Sequence, residues 1–134
     1  MDIRPTSAAV EIVAADLARS LEFYRLLGLD VPDGFDDGGP HVEVALPGGN
    51  RLMFDTEDTI AGMHPGWTPP ASAGRVVLAF GLTSPSDVDA VFTRLTDAGH
   101  RTALDPFDAP WGQRYATVLD PDGTSVDLFA PLAS

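Results

Sequence analysis

The sequence predicts an α+β fold in which one strand-helix-hairpin pattern occurs twice along the chain. Each copy contains a helical segment that ends at a glycine, Gly28 in the first copy and Gly99 in the second. Each copy also has a glycine in its hairpin turn, Gly49 and Gly123. Two such copies predict a pseudo-twofold arrangement, with a cleft where the two sheets face each other. We expect one domain, because 134 residues suit a single core.

In the first copy, the strand Val10–Ala14 precedes an amphipathic helix, for which Asp16 is a natural N-cap. The apolar residues of this helix recur at helical spacing: Leu17, Leu21, Tyr24 and Leu27. The hairpin that follows has the strands Val42–Leu46 and Leu52–Asp55. These segments predict a helix packed on the back of a sheet.

The second copy repeats this order. Its strands are Val76–Leu82, Tyr115–Leu119 and Val126–Phe129, and its helical stripe is Val88, Val91, Phe92 and Leu95. Ser84 or Ser86 can cap the helix, and Pro85 suits its first turn. The segment 120–123 reads Asp-Pro-Asp-Gly, which predicts a turn between the last two strands.

Alternation along the strands predicts which side chains face the helices and which face forward into the cleft. Val10, Ile12, Leu52 and Phe54 are expected behind the first sheet, and Val76, Leu78, Phe80, Val126 and Leu128 behind the second. The forward set is Ala9, Glu11, Val13, Met53, Asp55, Arg75, Val77, Ala79, Asp127 and Phe129. This forward set is expected to line the cleft.

Three segments rich in glycine and proline interrupt the pattern, at residues 32–40, about 56–74 and 105–112. The middle one is predicted to be a linker between a first module at about 7–60 and a second at about 75–132. These segments contain Phe35, Met63, His64, Trp67, Phe107 and Trp111. Because exposed aromatic area is unfavourable, the rings are expected either to cover sheet edges or to line a pocket.

Composition excludes several classes of function. The net charge of −12 disfavours nucleic-acid binding and favours cationic ligands. No run approaches the roughly 18 apolar residues of a membrane span, and the N-terminus lacks a secretory pattern. We therefore expect a cytoplasmic protein that binds neither membrane nor nucleic acid. The absence of cysteine and lysine excludes thiolate and Schiff-base chemistry.

Taken together, the motifs resemble those of the vicinal oxygen chelate superfamily, which includes glyoxalase I, extradiol dioxygenases and bleomycin-resistance proteins. The most specific segments are 16–28, with its Asp-Leu start and Phe-Tyr pair, and 111–128, with its Asp-Pro-Asp-Gly turn. The resemblance covers about residues 8–131. It implies two βαβββ modules, a cupped mixed sheet and a homodimer.

The resemblance also implies where a metal would bind in the enzymes of the superfamily. The corresponding positions here are Ala9, Met53 (or Asp55 if the hairpin alignment is shifted), Arg75 or its neighbour Val77, and Asp127. Of these side chains only a carboxylate is a ligand for a hard divalent ion. We therefore expect no metal and no other cofactor.

Three polar residues remain as candidates for ligand contact: Glu11, His41 and Asp55. For Glu11 we favour an ion pair with Arg75 over a ligand contact, because a buried carboxylate needs a partner. For His41, a ligand contact and an ordinary edge-strand role are equally supported. His100 is expected to be exposed after the helix end, and Arg114 is expected to anchor its loop.

The first hypothesis is a metal-independent protein that binds an antibiotic or another natural product, and gives resistance by sequestration. Its expected ligand contacts are Glu11, Phe35, His41, Met53, Asp55, Trp67, Phe107, Trp111 and Phe129. The resistance branch of the superfamily acts in this way. The alternative is an enzyme, a glyoxalase-like isomerase or lyase or a dioxygenase-type enzyme, that uses Glu11, His41 or Asp55 for proton transfer. A third possibility is a subunit whose cleft is filled by side chains.

Overall fold

The computed structural model describes residues 3–32, 41–70 and 75–132. It divides the chain into two compact units, one made of Met1–Arg25 and Leu29–Pro69, the other of Leu26–Gly28 and Pro70–Ser134. Along the chain the elements are β1 (Ala9–Ala14), α1 (Leu17–Leu27), β2 (His41–Ala45), β3 (Arg51–Thr56), α2 (Glu57–Met63), β4 (Val77–Gly81), α3 (Pro85–Asp97), β5 (Thr102–Ala109), β6 (Gln113–Leu119) and β7 (Ser125–Pro131). The predicted α+β class is confirmed.

Each unit contains one mixed sheet, and the two sheets share a strand pattern. The first sheet has the order β1-β3-β2 and the second the order β4-β7-β6-β5. In each sheet the first strand in the chain pairs in parallel with the last strand, and the last pairs antiparallel with the strand before it. The repeated sequence pattern therefore corresponds to a repeated topology. Residues 33–40, between α1 and β2, lie outside the described residues.

The core of the first unit forms where α1 meets the back of its sheet. Tyr24 contacts Phe54 with ring centroids 5.2 Å apart, and both side chains are fully buried. The predicted stripe is confirmed at Leu21, Tyr24 and Leu27. The buried face is wider than predicted, because it also includes Ser20 and Phe23.

The core of the second unit forms between α3 and the back of its sheet. Alternate residues of β6 and β7 are fully buried there: Ala116, Val118, Val126, Leu128 and Ala130. Ser84 caps α3 by accepting a hydrogen bond from the amide of Asp87, as predicted. The turn after β6 is also confirmed, since Asp120 accepts hydrogen bonds from the amides of Asp122 and Thr124.

Two segments that were predicted to be irregular contain regular structure. The linker at about 56–74 includes α2, for which Thr56 is the N-cap and accepts a hydrogen bond from the Thr59 amide at 3.1 Å. The segment 105–112 begins inside β5, which pairs with β6 through Phe107 and Tyr115. Register shifts on either side of Leu104 accommodate Pro106 in this strand.

Three predictions about single residues were wrong. Val10 was expected behind the first sheet but is 40% exposed near the start of β1. His100 is buried, not exposed, because the chain turns inward after Gly99 and the His100 amide donates to the Leu95 carbonyl. Val76 does not pack behind the second sheet; it is 64% exposed and precedes β4, which begins at Val77. Among the described residues, no helix is long and apolar enough to cross a membrane.

Candidate functional site

Each sheet presents a group of side chains on its forward face, the face opposite the buried core. On the first sheet this group is Glu11, His41 and Asp55, which we call the polar group. On the second sheet the aromatic row consists of Phe107, Trp111, Tyr115 and Phe129, with Trp111 reaching it from the turn before β6. The two groups lie in different units, and each is described by itself.

Strand register assembles the polar group around the central strand β3. His41 lies directly opposite Asp55 in the antiparallel pair, and Glu11 lies opposite Met53 in the parallel pair. All three therefore point to the same face, since Met53 and Asp55 are two residues apart in one strand. One ligand atom from each member lies within 4.8 Å of the others.

The His41 ring bridges two carboxylates. Its Nδ1 lies 3.0 Å from Asp55 Oδ1, and its Nε2 lies 2.9 Å from Glu43 Oε2. The other carboxylate oxygen of Glu43, Oε1, forms an ion pair with Arg51 Nη1 at 2.9 Å. The ring is thus fixed in position by both of its nitrogen atoms.

The two carboxylates that contact His41 have different surroundings. The Asp55 side chain is only 8% exposed, and this burial raises its pKa above the ordinary value. Glu43 is exposed, and its hydrogen bond with His41, aided by Arg51, lowers its pKa. The His41 imidazole therefore lies between a buried acid, Asp55, and an exposed one, Glu43, which is outside the polar group.

In the aromatic row, each ring contacts the next. Trp111 lies between Phe107 and Tyr115, at centroid distances of 6.1 Å and 5.4 Å, and meets both edge to face. Tyr115 stacks on Phe129 at 6.5 Å. Trp111 is 59% exposed, and its Nε1–H donates to Gln113 Oε1 at 2.9 Å. The Trp111 ring therefore gives the row an aromatic surface that is open to solvent.

Gly81 and a hydrogen bond of Tyr115 fix the end of the row at Phe129. A Cβ at Gly81 would lie 3.0 Å from Cζ of Phe129, so a larger residue there would displace this ring. The Tyr115 hydroxyl donates to Asp127, which also accepts from Thr117 Oγ1 at 2.7 Å. The hydrogen bond to Asp127 raises the pKa of Tyr115 to about 12. The row is therefore held in place by polar contacts on the same face.

The sequence of this chain matches the Glyoxalase/Bleomycin resistance protein/Dioxygenase superfamily over residues 6–128. The chain belongs to this superfamily. A comparison with curated proteins found no match. The predicted resemblance to the vicinal oxygen chelate superfamily is thereby confirmed.

Solved structures agree with this membership. A glyoxalase/bleomycin resistance protein/dioxygenase from Nocardioides is 27% identical, with a TM-score of 0.72 over 100% of this chain and 88% of that one. A hypothetical protein from S. aureus is 17% identical, with a TM-score of 0.79 over 95% of both chains. A lactoylglutathione lyase from Agrobacterium tumefaciens is 21% identical, with a TM-score of 0.66 over 95% of both chains. The latter two similarities establish the fold alone.

The superfamily includes metal enzymes, and the positions inferred above for their ligands do not fit an ion in this chain. Ala9 and Val77 have no donor atom, and Met53 offers only a thioether. Asp127 is already bound by the hydroxyls of Tyr115 and Thr117. The donor set of these positions therefore does not suit a hard divalent cation.

The predicted site residues are distributed as follows. Glu11, His41 and Asp55 form the polar group, and half-buried Met53 lies beside it on β3. Phe107, Trp111 and Phe129 belong to the aromatic row. Trp67 is half-buried after α2 and belongs to neither group, and Phe35 lies outside the described residues.

Sequence reasoning missed Tyr115 as a member of the row. The signal was available, since Tyr115 has the same strand parity as Gln113 and Thr117 and lies opposite Phe129 in register. Arg114 has the opposite parity. It donates two hydrogen bonds to Asp89 of α3 and one to Asp108 of β5, a structural role that agrees with the expected anchoring.

Proposed function

We propose that this protein binds a planar or amphipathic small molecule against the aromatic row and holds it unchanged. The biological result would be resistance to an antibiotic or another natural product by sequestration. The observation that supports this proposal most is the exposed ring of Trp111 within a fixed row of rings, between Phe107 and Tyr115.

Physical reasoning favours an aromatic ligand at this place. An exposed indole is unfavourable in water, and each aromatic pair contributes about 0.5–1.5 kcal/mol beyond the area that it buries. Because Gln113 holds the indole and Asp127 holds the Tyr115 hydroxyl, little side-chain freedom remains to be lost on binding. A preorganised row of this kind suits capture of a rigid, flat molecule.

Charge favours a cationic ligand. The chain has 20 acidic residues against eight basic ones, and Asp127 lies on the same face as the rings. We include Phe35, Met53 and Trp67 in the proposal as further ligand contacts, together with Glu11, His41 and Asp55. We also propose that the protein is a cytoplasmic homodimer. Light scattering should then give a mass twice the 14.2 kDa of one chain.

The proposal is tested by screening planar natural-product antibiotics for an increase in the melting temperature of the full chain. Each stabilising compound is then incubated with the protein, extracted from it and analysed by mass spectrometry. Recovery of the intact compound, in a stoichiometric complex, is the expected result. Conversion of the compound to a product would contradict sequestration.

A second function is favoured by the polar group. A hydrogen-bonded His41–Asp55 pair beside Glu11 is an arrangement suited to moving a proton, as an isomerase or lyase requires. Members of the superfamily include enzymes by name, among them the lyase from Agrobacterium tumefaciens. If product forms in the test above and its formation stops in Asp55→Asn but not in Trp111→Ala, this second function replaces the first.

A further inference from the structure

We propose that the polar group binds one divalent transition-metal ion through a ligand set that differs from the superfamily's, since of its members only Asp55 coincides with a position that the resemblance can offer. The ligands would be His41 Nδ1 and the carboxylates of Glu11 and Asp55, all from the first unit. This inference goes beyond the proposed function, because binding at the aromatic row does not require the ion. It also revises the expectation, drawn from the resemblance alone, that the chain binds no metal.

The distances suit such an ion. His41 Nδ1 and Asp55 Oδ1 are 3.0 Å apart, and two ligands at about 2.1 Å from one ion subtend about 90° at that separation. This angle is that of neighbouring ligands in an octahedral site. All three ligand atoms lie within 4.8 Å of one another, whereas opposite ligands at this bond length are about 4.2 Å apart. Since neighbouring ligands at this bond length are about 3.0 Å apart, closing around an ion needs a shift of at most about 1.8 Å, which rotation of the exposed Glu11 side chain can supply.

The charges of the site also favour the binding of a divalent cation. Glu11, Glu43 and Asp55 bring three carboxylates around one imidazole, and the nearby Arg51 pairs with Glu43. Three negative charges and one positive charge leave two negative charges when His41 is neutral. The Asp55 side chain is more than nine-tenths buried, and His41 is the only described residue with which its carboxylate forms a hydrogen bond. A buried carboxylate in this setting is stabilised by coordination.

The surroundings of His41 match those of a metal-bound histidine. Such a histidine usually donates its second ring nitrogen to a carboxylate, which fixes the tautomer and orients the ring. Here Nε2 lies 2.9 Å from Glu43, and Arg51 in turn holds Glu43. In the tautomer that donates Nε2–H to Glu43, Nδ1 has a lone pair available to an ion placed between it and Asp55. His41 and Glu11 are exposed, so an ion can reach the site from solvent.

The ligand set selects the kind of ion. One imidazole nitrogen with two carboxylate oxygens suits zinc, cobalt, manganese or ferrous iron better than magnesium or calcium, which prefer oxygen ligands alone. Three protein ligands also leave positions open for water or another small ligand.

The test uses the full chain after EDTA treatment and dialysis, titrated with Co²⁺ under visible spectroscopy and with Zn²⁺ by calorimetry. We expect one ion per chain and a Co²⁺ spectrum typical of mixed nitrogen and oxygen ligation. His41→Ala and Asp55→Asn should abolish binding, and Glu11→Gln, an exposed change that leaves the fold intact, should weaken it at least tenfold. Glu43→Gln should weaken binding about 10–100-fold, because it removes the partner of the ring.

His64→Ala is the matched control, since His64 is an exposed histidine of the same unit. It should leave the affinity for Zn²⁺ unchanged. The proposal is overturned if the wild-type chain binds no stoichiometric ion, or if Glu11→Gln and His64→Ala bind as the wild type does. Binding of the planar cationic dye proflavine is measured separately in EDTA, so that failure of metal binding and failure of the proposed function can be distinguished.

Discussion

Trp111 is the residue on which the proposed capture of a ligand depends most. Replacing it with alanine removes the most exposed ring of the aromatic row and should weaken binding of the planar cationic dye proflavine at least tenfold, about 1.4 kcal/mol. Fluorescence titration of the dye measures the change. Trp111→Phe should restore most of the affinity, because it restores a ring.

Met63→Ala is the control for this prediction. Met63 is as exposed as Trp111, at 59%, but it lies in the first unit and outside the aromatic row. Its loss should not change the affinity for proflavine. Equal affinities of Trp111→Ala and the wild type, with both proteins folded, would assign Trp111 to packing of its turn.

Tyr115 gives a prediction about pH. The hydrogen bond to Asp127 favours the neutral phenol in the folded state, so its pKa rises to about 12 from an ordinary value near 10. Ultraviolet titration of wild type minus Tyr115→Phe should show this late ionisation. In Asp127→Asn the midpoint of the Tyr115 ionisation should move down toward pH 10, about the ordinary value. A midpoint near 10 in the wild type would contradict the hydrogen bond.

The same shift determines how stability varies at alkaline pH. Because the folded-state pKa is the higher one, the contribution of Tyr115 to stability is complete below about pH 10 and is lost as the pH rises through about 12. Urea unfolding at a series of pH values should therefore show a steeper alkaline loss in the wild type than in Tyr115→Phe.

At the residue scale, strand alternation predicted more of the site than local sequence did. Parity alone placed Glu11 and Asp55 on one face, and the hairpin register then brought His41 to them. The burial of His100 was not predictable from its neighbours, because it depends on how the chain continues after the helix. Contacts such as that of Trp111 with Tyr115 depend on turn geometry that the residue pattern does not specify.

At the scale of elements, segments with clear periodicity were predicted well. The apolar stripes of α1 and α3 and the alternation in β3 and β7 follow from the burial of one face of each element. Helix α2 and strand β5 were missed. Helix α2 is short and is followed by glycine and proline, so its sequence resembles a loop. Strand β5 includes Pro106 and has a weak local preference for strand structure, so it depends on pairing with β6.

The capping of α3 supports a prediction at this scale. Ser84→Ala removes the acceptor of the Asp87 amide and should lower the free energy of unfolding by about 0.5–2 kcal/mol, as measured in urea. Thr93→Ala, an exposed change inside the same helix, should not destabilise the protein, because alanine is a good helix former. If the two variants lost stability equally, the cap would have no special role.

At the scale of the whole molecule, net charge should affect which ligands bind. With a formal charge of −12, the protein attracts a cationic dye over distances comparable with the Debye length, which is about 10 Å at 0.1 M salt and 3 Å at 1 M. The affinity for proflavine should therefore fall as salt rises. An anionic dye of similar area, anilinonaphthalene sulfonate, should bind more weakly and gain affinity with salt. The opposite order would contradict a cationic ligand.

The two tryptophans allow the central claim, that the aromatic row binds a flat ligand, to be tested in one measurement. A ¹H–¹⁵N correlation spectrum of the full chain should show two indole signals, those of Trp67 and Trp111, which Trp111→Phe assigns. During titration with proflavine, the Trp111 signal should shift and saturate at one dye per chain. A Trp111 signal that stays in place while the dye binds would show that the ligand is held elsewhere, and would contradict the account.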